Sequence, residues 1–365
     1  MLRTMTIGIS MMIIPLLACQ RPQDQTALPR ENRITAFSID FNWGNGGVNG
    51  FAPPGMYTQA SAAEHVRWYR DLGVNTIQTF CVSCCGYAWF RSDVAPVQPG
   101  MKGDFLKEIT EMGHKERMRV LGYFCVGANT YWGETHPDLS YGAPSAIHIP
   151  LTLQYIDYLC AEIEDVLKKT AIDGFMLDWF FSPPAEGRVK WLECEKEMYA
   201  QLFGRTFPGA EKISESEELD FKRRAVDRCW KRVRAAAKGV KPDCILWLSC
   251  YDLNHPQMEG QEMYGEVDWI MNESPDKGKL RALKKRIGDH TRVIQCLVGW
   301  GPQHSAEKIL SDGDFADAGL YGFAWPDSVT TIPPTVEAAG NDERLVGNAR
   351  NIEAFREFLK RKGGI

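Results

Sequence analysis

Two hydrophobic periods take turns along this chain. Short, nearly continuous apolar runs rich in Val, Ile, Phe and Cys read as strands buried on both faces. There are eight: Ala36–Phe41, Thr76–Val82, Val120–Val126, Gly174–Phe180, Ile245–Tyr251, Trp269–Asn272, Arg292–Val298 and Gly319–Ala324. Between them apolar residues recur at the helical spacing, which predicts helices over Ala62–Leu72, Phe105–Arg117, Leu153–Lys169, Leu219–Lys238, Lys279–Ile287 and Ala306–Leu310. A last helix is expected over Asn348–Lys362. Strands that alternate with helices pair in parallel through right-handed crossovers. Eight such units in 365 residues predict a single (β/α)8 TIM barrel. A doubly wound open sheet is the alternative, but no Gly-x-Gly-x-x-Gly turn follows the first run to favour it.

The punctuation agrees with this registration. Gly73 and Gly174 stand in helix-to-strand turns, and Lys241-Pro242-Asp243 plays the same part before the fifth strand. The stretch Ser182 to Gly239 exceeds a minimal crossover, so an extended loop-helix insertion with two helices is expected after strand four. Asn254 to Gly265 carries the least helical patterning of the crossovers.

The first residues follow a different rule. Arg3 and the apolar stretch Ile7 to Leu17 have the form of a signal peptide, too short to span a bilayer. Leu16-Leu17-Ala18-Cys19 resembles a bacterial lipobox, in which Cys19 is lipidated; a simple cleaved signal is the alternative. The expected organisation is a signal peptide over 1–18, a polar tether over 19–32 and a catalytic barrel over 33–365. An exported lipoprotein follows, touching the membrane through its lipid anchor alone.

Composition narrows the function. With 44% hydrophobic and 24% charged residues the chain is ordinary for a globular domain. Its net charge of −5, with no basic stripe, excludes a nucleic-acid partner. Lys222-Arg223-Arg224 sits in a charge-mixed helical segment and reads as a solvated face. Of eleven Cys, Cys81, Cys125, Cys250 and Cys296 lie within or at the ends of apolar runs, where Cys acts as a small hydrophobe. Cys81, Cys84 and Cys85 form the one tight cluster; without a second CxxC or a His pair it makes a poor zinc site, though a bridge from Cys84 or Cys85 to another loop stays open. No cofactor is expected.

In such a barrel, catalytic groups gather at the C-terminal strand ends. Here those ends carry carboxylates on four different strands: Asp40, Asp178, Asp252 and Glu273. Tryptophans accompany them at Trp43, Trp179, Trp300 and Trp325, with Trp89 and Trp132 in rim loops. Glycoside cleavage needs two carboxyls flanking the scissile bond, and sugars lay their C–H faces on aromatic rings. Asp178 and Glu273 are therefore the expected catalytic pair, with Asp252 as an alternative to Glu273. Asp40, Asn42, Trp43, Trp179, Asp252, Trp300 and Trp325 are expected to bind a carbohydrate. Each carboxylate also has a structural reading, as a helix cap or an Arg partner. Asp173 belongs to the turn before its strand.

The segment Asp173-Gly174-Phe175-Met176-Leu177-Asp178-Trp179 resembles the nucleophile strand of α-L-fucosidase-type glycoside hydrolases and, more distantly, that of α-galactosidase barrels. Phe37 to Trp43, Gly73 to Gln78 and Gly122 to Val126 look like bacterial glycosyl hydrolases of the same superfamily. The resemblance implies a retaining glycosidase with Asp178 as nucleophile. Two departures stand out. Cys81-Val82-Ser83-Cys84-Cys85 occupies the place of the fucosidase His pair, and Asn272-Glu273 falls on strand six rather than strand four. Two other functions compete. A carbohydrate-binding barrel without catalysis would keep the tryptophans alone. A metal-dependent hydrolase is disfavoured, because strand one has no His-x-His and the seven His lie mostly in helices or loops. His148, His255 and His304 remain candidates for substrate contact.

Overall fold

The computed structural model describes residues 33–44, 50–141, 148–180, 191–250, 252, 254–258, 262–273, 277–287, 290–299, 305 and 318–361. Eight parallel strands close into a barrel in chain order, the last pairing with the first. They are β1 (Thr35–Ile39), β2 (Thr76–Val82), β3 (Arg119–Cys125), β4 (Gly174–Asp178), β5 (Ile245–Cys250), β6 (Trp269–Asn272), β7 (Arg292–Val298) and β8 (Gly319–Ala324). Each expected strand is present, and the ends differ by no more than two residues.

The helices are α1 (Ala62–Leu72), α2 (Phe105–Lys115), α3 (Thr130–Thr135), α4 (Leu153–Lys169), α5 (Glu193–Phe203), α6 (Glu215–Val240), α7 (Met263–Glu266), α8 (Lys277–Ile287) and α9 (Glu343–Arg361). Helix α6 starts earlier than its apolar pattern, because Ser214 caps it and Glu215, Glu217 and Glu218 suit the positive end of its dipole. The weakly patterned crossover Asn254 to Gly265 yields only the single turn α7. Helix α3 lies where a plain rim loop was expected. The expected helix Ala306–Leu310, together with Trp300, His304 and the signal and tether containing Cys19, lies outside the described residues. No described helix is long and apolar enough to cross a membrane.

The barrel interior is filled by side chains from several strands. Trp247 of β5 packs on Trp269 of β6 and edge-on against Tyr321 of β8, at ring separations of 5.7 and 5.2 Å. The Tyr321 hydroxyl crosses the barrel to donate to Gln78 Oε1 of β2 at 2.9 Å. The ten described Cys are all buried and unbridged, including Cys84 and Cys85.

The N-terminal rim carries structural carboxylates. Asp173 Oδ2 accepts from the Val120 N–H at 2.8 Å and contacts His114 Nε2 at 2.9 Å, tying β3 and α2 to the start of β4. Asp268 does the same for β5, accepting from Leu246 N–H and Lys238 Nζ. Gly174 is required there, since a Cβ would run into the Ile245 backbone carbonyl of the neighbouring strand.

Candidate active site

A cavity opens at the C-terminal ends of the strands. Its polar walls are Asp40 beyond β1, Asp178 at the end of β4 and Glu273 just past β6. Three carboxyls from three strands thus converge, as the rim reading expected.

Asp178 is held in place by the ladder: its backbone pairs with Cys125, and its carbonyl accepts from the Val126 N–H at 2.8 Å. Its carboxyl faces the cavity from a site otherwise closed by protein, and burial raises its pKa. Two donors oppose that rise: the Tyr123 hydroxyl donates to Oδ2 at 2.8 Å and the Trp179 N–H to Oδ1 at 2.9 Å. Trp179 reaches its own position with φ 51°, a left-handed backbone that a bulky residue seldom adopts. The strain turns that N–H back onto Asp178 and brings the indole to the cavity wall, with the His148 ring 5.4 Å away.

Glu273 has a poorer set of partners. Ser249 Oγ is hydrogen-bonded to Glu273 Oε1 and opposes the rise in its pKa. Burial and the nearby Asp178 and Asp40 charges outweigh it and push Glu273 up to about 8. Asp40 is pushed up to about 7 by burial, with Asp178 adding to it, against bonds from the Asn42 N–H and the Trp43 side chain. Burial and the Asp178 charge thus favour the protonated form of Glu273, while the two donors on Asp178 favour its charged form.

Asp178 and Glu273 stand on one cavity wall, close enough for the Asp178 charge to raise the pKa of Glu273.

The other expected residues divide. Asn42, Trp43 and Trp179 line the cavity with the carboxyls. Asn42 Oδ1 also accepts from the Cys84 N–H at 2.9 Å, so the cysteine-rich loop braces the site. Asp252 is not among the residues lining the cavity; Lys279 Nζ binds its Oδ1 at 2.9 Å and lowers its pKa, which favours its charged form. Trp325 lines a separate cavity. Trp89 and Trp132 are buried rather than on the rim: Trp89 packs on Phe41 and donates to Ser83 Oγ, and Trp132 stacks on His136. His255 lies beside Asp252, away from the cavity wall. Missed by the sequence reading were Ser249, Tyr123, Gln78 and Tyr321. The last three share the cavity wall with Met176 and Phe323. A polar Gln78 or Ser249 inside an otherwise apolar strand was the available signal. No group of side chains able to hold a metal ion occurs among the described residues.

Comparison with known proteins adds kinship to this geometry. Residues 61–179, from α1 to the residue after Asp178, match the sequence model of a family described as hypothetical glycosyl hydrolase 6. No curated protein sequence matches the chain. Among solved structures the chain is similar to α-L-fucosidase isoenzyme 2 from Paenibacillus thiaminolyticus, at 15% identity and a TM-score of 0.66. That match covers 91% of this chain but 50% of the fucosidase, so the chain spans half of that protein's length. The glycoside hydrolase domain of PgaB (BpsB) from Bordetella bronchiseptica is matched over 87% of this chain and 98% of its own, at 13% identity and a TM-score of 0.55. α-L-Fucosidase AlfC from Lactobacillus casei, solved with its α-L-fucose product, is matched over 91% and 97%, at 10% identity and a TM-score of 0.50. These likenesses show the fold, a (β/α)8 barrel.

Proposed function

We propose that this protein is a retaining glycoside hydrolase acting on an oligosaccharide or polysaccharide, exported and held to a membrane by a lipid on Cys19. The observation that carries the catalytic reading is the convergence of two carboxyls of unlike environment, Asp178 and Glu273, on one cavity.

The chemistry follows from those environments. Asp178, ionised, attacks the anomeric carbon as the bond to the leaving oxygen breaks. Glu273 delivers its proton to that oxygen, so the aglycone departs neutral and a glycosyl ester forms on Asp178. Glu273, now a carboxylate, takes a proton from water as the water attacks the anomeric carbon, and Asp178 leaves with its electron pair. Two inversions give net retention. Asp40, Asn42, Trp43 and Trp179 are assigned to binding: carboxylate and amide groups for hydroxyls, indoles for the C–H face of the ring. The fucosidase-like strand β4 gives no sugar by itself, because the His pair is replaced by the cysteine-rich segment.

A panel of aryl α- and β-glycosides tests the reading on the chain beginning at residue 20. Asp178→Ala is expected to lose turnover by roughly 10⁴-fold or more, with azide restoring it as a glycosyl azide. Glu273→Gln is expected to slow substrates with poor leaving groups by about 10²–10⁴-fold and activated ones far less. Undiminished turnover in Asp178→Ala would overturn the nucleophile assignment. Glycan binding without turnover in the unsubstituted protein would favour the non-catalytic barrel.

A further inference from the structure

A second, larger cavity of about 340 Å3 lies on the same rim, lined by Gly44, Tyr57, Trp325, Asp327, Asp342 and Arg344 among others. It adjoins the catalytic cavity through residues near in sequence at the ends of two paired strands. Beyond β1, Trp43 lines the first cavity and Gly44 the second. Phe323 of β8, which pairs with β1, lines the first, and Trp325, just past the end of β8, lines the second. The Tyr57 hydroxyl ties the two together by donating to the Trp43 carbonyl at 2.8 Å.

Its chemistry selects the ligand. The Trp325 indole supplies an aromatic wall, with the Arg344 guanidinium 5.5 Å from its ring centre. Asp342 holds that guanidinium at 3.2 Å and also caps α9, accepting from the backbone N–H groups of Arg344 and Leu345. The N-terminal end of α9 is therefore already occupied by the protein's own carboxylate. Asp327 receives Val329 N–H and Thr330 N–H on Oδ1, so Oδ2 carries neither of those bonds. Both Asp carboxyls are held below their ordinary range, by backbone N–H groups at Asp327 and by Arg344 at Asp342. Two carboxylates against one guanidinium repel an anion. An aromatic wall with charged acceptors and donors around it suits a neutral sugar ring.

Building on the glycosidase reading, we propose that this cavity is a second glycosyl subsite, binding the neutral sugar unit next to the one held between Asp178 and Glu273. The substrate is then at least a disaccharide, and recognition extends along the β1–β8 side of the rim.

The test uses the full chain from residue 20 carrying Asp178→Ala, titrated by calorimetry with neutral oligosaccharides of one to four units, drawn from several sugar types. Affinity should rise about tenfold between one unit and the longer chains. That gain should vanish with Arg344→Ala and with Ser328→Trp, which fills the cavity from an exposed lip without removing a buried contact. Affinity that does not depend on length, or a gain that survives both variants, would overturn the subsite, as would failure of every oligosaccharide to bind. A length-dependent gain lost in both variants, in a protein whose unsubstituted form turns over none of these glycans, would leave the subsite standing and remove the glycosidase reading instead.

Discussion

The Ser249 hydroxyl donates to Glu273 Oε1 and holds its pKa down against burial and the Asp178 charge. Ser249→Ala removes that bond and raises Glu273 further. As the proposed acid, Glu273 acts protonated, so the basic limb of the kcat/KM profile, expected near pH 8, should move to higher pH. Turnover should fall about tenfold for one lost hydrogen bond of about 1.5 kcal/mol. A pH–rate profile that only drops in height would give Ser249 a packing role alone. Asp178 and Glu273 were legible in the sequence because a strand that ends in a carboxylate defies the cost of burial. Ser249 and Tyr123 were not. Their types occur on either face of a strand, and only the register shows which face meets the cavity. The left-handed backbone of Trp179 leaves no sequence mark at all, since propensity would exclude it.

Helix α4 shows what an element can hide. It buries Glu162, whose carboxyl is pushed up to about 8 by burial, with Asp165 adding to it against the Tyr158 hydroxyl. Folded protein therefore keeps a proton that the unfolded chain releases above its ordinary carboxyl pKa. Stability should fall as pH rises from about 4.5 to about 8, then level off. Glu162→Gln removes the ionisable group. At pH 9 it should melt several degrees higher than the parent, on the order of a few kcal/mol, and at pH 4 the two should match. Equal melting points at pH 9 would contradict a buried, raised Glu162. The strands and most helices were readable from their periods, which packing between barrel and outer ring reinforces. Helix α3 was not, because it is only six residues long and carries no apolar period; its start is set by a cap, the Asn129 side chain accepting from Trp132 N–H.

At the scale of the whole molecule, the closed barrel separates structure from chemistry by its two ends. Asp173 and Asp268, at the N-terminal rim, spend their oxygens tying strands and helices together. Asp40, Asp178 and Glu273, at the other rim, crowd into one cavity and raise each other's pKa or are raised by burial. The eightfold alternation was enough to find the barrel and its functional end. It was not enough to find the cavity's extent, since Trp325 and Asp252 share that end and yet stand outside the catalytic pocket. The central claim is that Asp178 and Glu273 act as a close pair through a covalent intermediate. It is tested most directly by recording proton NMR spectra during hydrolysis of a proven glycoside substrate, before mutarotation. The first-formed sugar should keep the anomeric configuration of the substrate. A first-formed product of the opposite configuration would contradict the pair and its mechanism.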